Sequence, residues 1–416
     1  MNKVKKILVP ILIALSLVGS YFVGFFTRDL TFTDLQRSVL YMLEKYEKYY
    51  YYQDDNVVDV ISNAIFDKYS TFYSKEEYDS ILKTASGKNF GIGLGFIGNT
   101  LTIEKVYVNS PCDKMGVKSG GTVVGLAVDG EDKPFSDLNG FINALNVVEE
   151  NQDISLTVRY SGDLQTYSVS KKVYQRSYVT YKDSSGTYNF IDGNNGLELT
   201  YRGESPITAP SVGYIIYEEF SGREDGINGS AEQLKQALLK FKQNGKSKLI
   251  FDLRNNGGGY MDVLSNVTGM LVEPQGNNQV ISISIDKNGK EKSFYSNNQT
   301  YSEFNFNEII VLANENSASA SEVLIGAMLD YDKSNKVKIV LDGHEENSQI
   351  VYRTYGKGIM QTTYVNLDSS AVKLTTAEIF WPITRISIHG KGVTTETSNK
   401  VYNAVNGDAL SYALNM

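Results

Sequence analysis

The sequence predicts an α/β protein built in parts: a helical segment, a strand-and-turn region around a glycine-rich loop, and a larger layer of alternating strands and helices. Three observations predict it. Apolar residues recur at helical spacing between 31 and about 85; short alternating strands and turns take over from Gly87; and from Val212 strands and helices alternate. At 416 residues the chain has room for two or three domains with a sizeable core.

Composition narrows the chemistry. A formal charge of −8 argues against nucleic acid as a partner. Cys112 is the single cysteine, which excludes an intramolecular disulfide, and its place beside Pro111 suits a buried small apolar residue. His344 and His389 are the only histidines, so a multi-histidine zinc site is excluded and a serine mechanism has few imidazole bases. Nothing in the pattern calls for a metal or a cofactor. The 29 tyrosines are spread along the chain and read as surface and core filling.

Segment 1–30 reads as a membrane anchor. Lys3, Lys5 and Lys6 precede an uncharged apolar run at 7–26, long enough to cross a bilayer. The lysines stay cytoplasmic, which puts everything after Arg28 outside the membrane. Val18-Gly19-Ser20 offers a cleavage site, so a removed signal peptide is the alternative. Both readings export the rest of the chain.

Segment 31–85 reads as helical. Leu35, Val39, Met42, Leu43 and Tyr46 share one face, as do Val57, Val60, Ile61, Ala64 and Ile65 after Asp54-Asp55-Asn56. Ser74-Lys75-Glu76-Glu77 is a capping box. The aromatic cluster 49–52 falls between the two helices and reads as packing at a helix end.

Segment 86–172 reads as strands and turns. Phe90-Gly91-Ile92-Gly93-Leu94-Gly95-Phe96 is a glycine loop running into an extended stretch, with a strand expected over 101–108 and a short helix over 112–117. A strand over 123–128 ends at Asp129-Gly130. An amphipathic helix over 137–147 follows, and Ile154, Leu156, Val158 and Tyr160 alternate as a half-buried strand. The loop lacks the lysine of a nucleotide-binding loop and leads into a strand, so it is not a phosphate site. The order of elements resembles a PDZ domain with permuted strands. The resemblance implies that the backbone of Gly91, Ile92, Gly93 and Leu94 holds the C-terminal carboxylate of a peptide added as a strand. Gly120-Gly121 stands where such domains carry Gly-Asp. Segment 173–211, polar and rich in turn formers, reads as a connection.

Segment 212–416 alternates strands and helices, which places functional loops at the carboxyl ends of the strands. Two turns fall there: Asn255-Asn256-Gly257-Gly258-Gly259 after the strand ending at Asp252, and Asn316-Ser317-Ala318-Ser319 after the strand near Ile309. A serine at a helix mouth lies beside free backbone N–H groups able to hold an oxyanion. Ser317, Ser319 and Ser321 compete for that place, and each could equally be a helix cap. A serine needs a base, and Lys357, flanked by Gly356 and Gly358, is the candidate. It must be buried without a carboxylate partner to lose its proton near neutrality. Gln361 could hydrogen-bond the amine without neutralising it.

These segments together resemble the carboxyl-terminal processing (tail-specific) serine peptidases. The resemblance rests on Asp67-Lys68-Tyr69-Ser70-Thr71-Phe72-Tyr73, the glycine loop, Asp252-Leu253-Arg254-Asn255-Asn256-Gly257-Gly258-Gly259, Ser317 to Glu322, Gly356-Lys357-Gly358 with Gln361, and Ile388-His389-Gly390-Lys391-Gly392-Val393. It implies a core of ClpP/crotonase-like βα layers with an inserted PDZ domain, and an exported endopeptidase acting on the loosely folded C-termini of proteins. By resemblance Ser319 is the nucleophile, Lys357 the general base and Gln361 its support. Ala320 with Gly257 or Gly258 supplies the oxyanion donors, and Asp330 is structural support. The rival reading is a non-catalytic tail-binding scaffold on the same fold. Two features depart from the family: the long connection at 161–211, and the segment between Ser319 and Lys357, which stand 38 residues apart, whose excess around 335–354 reads as an exposed excursion.

Overall fold

A computed structural model describes residues 33–49, 57–193, 196–223, 229–297, 299–405 and 407–416. The chain divides into two compact units at Ile65/Phe66. The first holds the helices Asp34–Tyr49 and Val57–Ile65, each amphipathic as its spacing requires. Among the described residues no helix is long and apolar enough to cross a membrane. The expected anchor at 1–30 and most of the aromatic cluster 49–52 lie outside the described residues.

The second unit begins inside the segment expected to be wholly helical. Thr71–Tyr73 is a strand paired antiparallel with residues 371–373. The capping box then opens the helix Lys75–Ala85: Ser74 N donates to Glu77 Oε2 at 2.8 Å, and Glu77 N donates to Ser74 Oγ at 3.3 Å. The boundary expected near 85 thus falls at 65, because Thr71–Tyr73 belongs to a sheet that sequence-local reasoning cannot see.

The main sheet has eight strands in the order Gly196–Gly203, Gly186–Gly193, Val179–Asp183, Val212–Tyr217, Lys248–Asp252, Glu308–Ala313, Val337–Leu341 and Val401–Asn403. The last five run parallel, and the first three join them antiparallel. Successive residues of a central strand feed opposite faces. Ile309 and Val311 pack with the helices Ser230–Gln243, Met261–Leu271 and Ala320–Tyr331, whereas Ile310 and Leu312 pack with Ala409 and Ala413 of the C-terminal helix. Burial on both faces explains why Ile309-Ile310-Val311-Leu312-Ala313 is apolar without alternation.

Two expectations are corrected here. Segment 173–211 is not a connection: three of its strands extend the main sheet, and Tyr178, Val179, Tyr181 and Phe190 lie in its core. Its turn formers are hairpin residues. Nor is 335–354 an exposed excursion as a whole, since Val337–Leu341 is a buried parallel strand. Only the hairpin His344–Glu346 with Gln349–Val351 leaves the sheet.

A second sheet of five strands carries Thr71–Tyr73, Ala371–Phe380, Val280–Asp286 and Glu291–Tyr295, with Ile359–Val365 paired to Ala371–Phe380. It presents Lys357 at the mouth of Ile359–Val365.

The glycine-loop region has its own core of Ile92, Ile103, Cys112, Val123, Phe141, Ile154, Leu156 and Val158. Strands Glu131–Asp132, Thr122–Val128, Asp153–Tyr160 and Asp163–Ser170 form a four-stranded sheet. Leu94–Phe96 pairs with Ile103–Val106, and Asp137 Oδ1 caps the helix Leu138–Asn146 by accepting from Gly140 N at 2.8 Å. The pair Gly120-Gly121 has a physical reason. A Cβ at Gly121 would lie 2.4 Å from the Tyr160 ring. The Tyr160 hydroxyl meanwhile donates to Lys118 O at 2.9 Å and accepts from Lys118 N at 3.0 Å. Tyrosine thus makes the turn contact from the neighbouring strand. Gly121→Ala should destabilise by about 1–3 kcal/mol through this overlap. Urea unfolding measures it, and an unchanged midpoint would refute the account.

Candidate active site

Two turns at the carboxyl ends of adjacent parallel strands are laced together. Ala318 N and Ser321 Oγ both donate to Asn256 O, at 3.0 and 2.9 Å. Ser317 Oγ donates to Leu253 O at 2.8 Å, and Asn255 N donates to Asn314 Oδ1 at 2.9 Å. Ser317 and Ser321 are fully buried in this lacing. Ser319 is placed differently. It precedes the helix Ala320–Tyr331, has φ of 56°, and lines a cleft of 1130 Å³. A non-glycine residue in that backbone region is strained, and such residues cluster at functional turns.

The glycine turn beside it supplies the donors. Among the described residues, neither Ala320 N nor Gly257 N has a protein acceptor within hydrogen-bonding distance, and Gly257 lines the cleft with Ser319. Gly258 is corrected: its N–H already donates to Asn256 Oδ1 at 2.9 Å, so of the two expected glycines only Gly257 has an N–H to offer. Gly258 matters instead by its lack of a side chain. A Cβ there would lie 2.8 Å from Ala318 O, Ala320 N and the Ser319 Cβ, at a φ of +101°. Only glycine lets the two turns meet.

The lysine turn is fastened to the serine turn by a residue that the reasoning from sequence left without a role. Glu322 is fully buried, and its carboxylate accepts four hydrogen bonds. Ser319 N donates at 2.9 Å and Lys357 N at 2.9 Å to Oε2; Gly356 N at 2.8 Å and Thr354 Oγ1 at 2.5 Å donate to Oε1. Burial raises the pKa of this carboxyl above the ordinary value, and the four donors offset part of the rise. All four partners donate and none accepts, which suits the ionised form. The signal was present in the sequence: Glu322 stands three residues after Ser319, the capping-box position that reaches back to the N-cap amide.

Lys357 is half-buried and lines the same cleft. Burial holds its pKa below the ordinary lysine value of 10.5, and the like charge of Lys373 adds to the effect. Its Nζ stands 5.3 Å from the centroid of the Tyr69 ring. Gly356 and Gly358 are required by close packing: Cβ atoms there would lie 2.9 Å from Gly392 N and 2.7 Å from His389 N. His389 therefore contributes backbone packing, while its side chain is exposed. The structure brings Ser319, Lys357 and Gln361 to one cleft, but no hydrogen bond joins Ser319 Oγ to Lys357 Nζ. Gln361 does not bond the amine. A bulge at Met360/Gln361 turns it toward the facing strand, where Nε2 donates to Thr375 Oγ1 at 3.5 Å.

The remaining candidates lie elsewhere. Asp330, near the end of the serine helix, accepts from Ile383 N at 2.8 Å and from Thr384 N and Oγ1 at 3.0 and 2.9 Å. It braces that helix against the turn after Ala371–Phe380 and does not line the cleft. Gly91, Ile92, Gly93 and Leu94 sit together at the start of Leu94–Phe96, which hydrogen-bonds a partner strand along one edge only. Phe141 of the helix Leu138–Asn146 packs edge-on against Phe96 at 5.6 Å. His344 stands between Glu315 and Glu346, at 3.7 and 3.5 Å, outside the cleft.

Parallel strands, a strained serine at a helix mouth, free amides beside it and a half-buried lysine are the parts that a serine hydrolase type of site requires. Residues 211–398 match peptidase family S41. The chain is 26% identical over 354 residues to a protein of Staphylococcus saprophyticus described as a CtpA-like serine protease, covering 83% of this chain and 61% of that one. A Staphylococcus aureus protein of the same description is 26% identical over 357 residues, covering 83% and 60%. The chain thus spans about three-fifths of the length of these curated relatives. A solved photosystem II D1 C-terminal processing protease aligns over 86% of this chain and 83% of its own, at 21% identity and a TM-score of 0.46.

Proposed function

We propose that this chain is an exported serine endopeptidase that hydrolyses peptide bonds in proteins with loosely folded C-termini, by a serine–lysine mechanism. The observation that carries the proposal is the Glu322 bridge, which fixes the Ser319 and Lys357 turns on one cleft beside the free Ala320 and Gly257 amides. Ser319 Oγ attacks the scissile carbonyl carbon while the neutral Lys357 amine takes the hydroxyl proton. The tetrahedral oxyanion sits between Ala320 N–H and Gly257 N–H. The Lys357 ammonium then gives its proton to the departing amine, and water releases the acyl group by the same steps. Substrate closes the gap between hydroxyl and amine, as hydrogen bonds that are long in a free enzyme tighten in the complex.

The glycine-loop region is read as a PDZ domain inserted before ClpP/crotonase-like layers. Its open edge at Leu94–Phe96, beside the helix Leu138–Asn146, suits a tail added as a strand, with Gly91, Ile92, Gly93 and Leu94 around the carboxylate. Lys3, Lys5 and Lys6 before the apolar run 7–26 support an extracytoplasmic protein held at the cell membrane.

The test is cleavage of an unstructured protein with an apolar C-terminal tail by the purified chain. Ser319→Ala and Lys357→Ala should each lower kcat by at least ~10³-fold. The base must be neutral, and burial favours the neutral amine, so kcat/KM should rise with pH through a midpoint below 10.5. Full activity in either variant would defeat the mechanism. Tail binding without turnover from pH 6 to about 10 would leave a binding protein on this fold.

A further inference from the structure

We propose that Tyr69 is a positioning residue for the reaction: its ring closes the back of the Lys357 site and keeps water from the amine. The inference rests on Lys357 being the base. It starts from a motif that the catalytic groups leave unexplained, Asp67-Lys68-Tyr69-Ser70-Thr71, which lies far from the cleft in sequence.

The geometry gives that motif a task. Behind the lysine turn lies a second cavity of 710 Å³, lined by Tyr69, Tyr355, Gly356, Thr375 and both histidines. Lys357 lines the catalytic cleft and not this cavity. Tyr69 lines the second cavity, half-buried, with its ring centroid 5.3 Å from Lys357 Nζ.

The ring is held there by bonds that do not involve the amine. Asp67 Oδ1 accepts from Tyr69 N at 3.1 Å and Ser70 N at 2.8 Å, which closes a tight turn. Ser70 Oγ accepts from Thr375 N at 2.9 Å, and Thr71–Tyr73 then pairs with residues 371–373. Lys68 Nζ donates to the Tyr355 hydroxyl at 3.3 Å, and its charge lies over both the Tyr69 and Tyr355 rings. Four anchors thus fix one aromatic plane.

A tyrosine face near an ammonium has two opposed effects. Its π-cloud favours the cation by about 0.5–1 kcal/mol, under one pKa unit. Excluding water favours the neutral amine by up to about 3–5 units in full burial. The second effect is the larger, in keeping with burial as the leading cause of the depressed Lys357 value. The other groups around Lys357 are Lys373, which also favours the neutral form, and Glu322, Asp67 and ionised Tyr355, which oppose it. Tyr69 counts by occupying space, not by charge. The ring is therefore the part that matters, and the hydroxyl is dispensable.

The experiment is the pH profile of kcat/KM for the full chain on an unstructured protein substrate. In Tyr69→Ala the back cavity opens onto the amine, and the acid limb should move up by at least about one pH unit, with a roughly tenfold loss at pH 7 that is recovered at alkaline pH. Tyr69→Phe should restore the wild-type limb. If Tyr69→Ala does not fold, by its melting curve, Tyr69→Gln carries the same expectation, because it brings a hydrated polar chain to the same place. An unmoved limb in a folded Tyr69→Ala or Tyr69→Gln variant overturns the proposal. So does a loss of equal size at every pH, which would mark a merely structural role. Lys357→Ala run alongside separates the two readings: if it stays active, the lysine mechanism fails. If it is inactive and the Tyr69 limb is unmoved, only the role of Tyr69 fails.

Discussion

Glu322→Ala will cost the protein both its activity and part of its stability. Four donors, Ser319 N, Gly356 N, Lys357 N and Thr354 Oγ1, now converge on one buried carboxylate. Removing it leaves them facing a void. Each unsatisfied buried donor costs about 1–3 kcal/mol, and water entering the space recovers part of that, so a net loss on the order of 3–5 kcal/mol is expected. Activity should fall further than stability explains, because the serine and lysine turns lose their common tether. A misplacement of about 1 Å at a reacting group can cost on the order of 10²-fold. Glu322→Gln keeps the shape but replaces one acceptor oxygen with a donor, which faces backbone N–H groups. It should refold yet remain at least ~10-fold slower, since a charge-assisted bond is lost and one donor clashes with another. Urea unfolding together with kcat on the unstructured substrate checks both variants. A Glu322→Ala protein with wild-type kcat would show that the bridge does not position the site.

Gly258→Ala tests the other side of the serine. The added methyl would lie 2.8 Å from Ala318 O, Ala320 N and the Ser319 Cβ, and the backbone there holds φ at +101°. None of those neighbours is a flexible side-chain end, so the two turns must separate. The Ala320 N–H and Gly257 N–H then no longer converge on one point. Loss of a single oxyanion donor is worth about 10²–10³ in kcat, and that is the fall expected here with KM little changed. Gly257→Ala is the control: its Cβ would meet nothing within 4 Å, so its effect should be much smaller. Equal effects at the two glycines would refute the assignment of close approach to Gly258 alone.

The parts legible in the sequence are those governed by near neighbours along the chain. The capping box at Ser74 and Glu77, the amphipathic helices, the Asp137 cap and the alternating strand Asp153–Tyr160 all follow from residues a few positions apart. The uninterrupted apolar strands of the main sheet were readable for the same reason. Segment 173–211 misled because hairpin strands at a sheet edge carry polar outer faces and glycine turns, which look like a connection. Val337–Leu341 was hidden by the charged hairpin that follows it.

The candidate site divides in the same way. Sequence placed Ser319 at a helix mouth and a lysine between two glycines, since turn chemistry demands small residues wherever the backbone comes close. It left three serines open. Tertiary contacts separated them, by burying Ser317 and Ser321 in bonds to Leu253 and Asn256. Which glycine amide is free was likewise decided by a side chain, Asn256 Oδ1, whose direction no local pattern reveals. So was the turn of Gln361 away from the amine, which follows from a bulge in strand pairing.

The sequence by itself determined the α/β alternation, the two turns at strand ends, the shortage of histidine and the candidate serine and lysine, because these depend on residue type and short-range spacing. Tertiary structure alone decided the reach of Glu322 to the Lys357 turn, the choice of Gly257 over Gly258, and the approach of Tyr69 to Lys357 across 288 positions. Those depend on burial and hydrogen-bond direction between segments remote in sequence. Such contacts exist only once the sheets have brought the segments together.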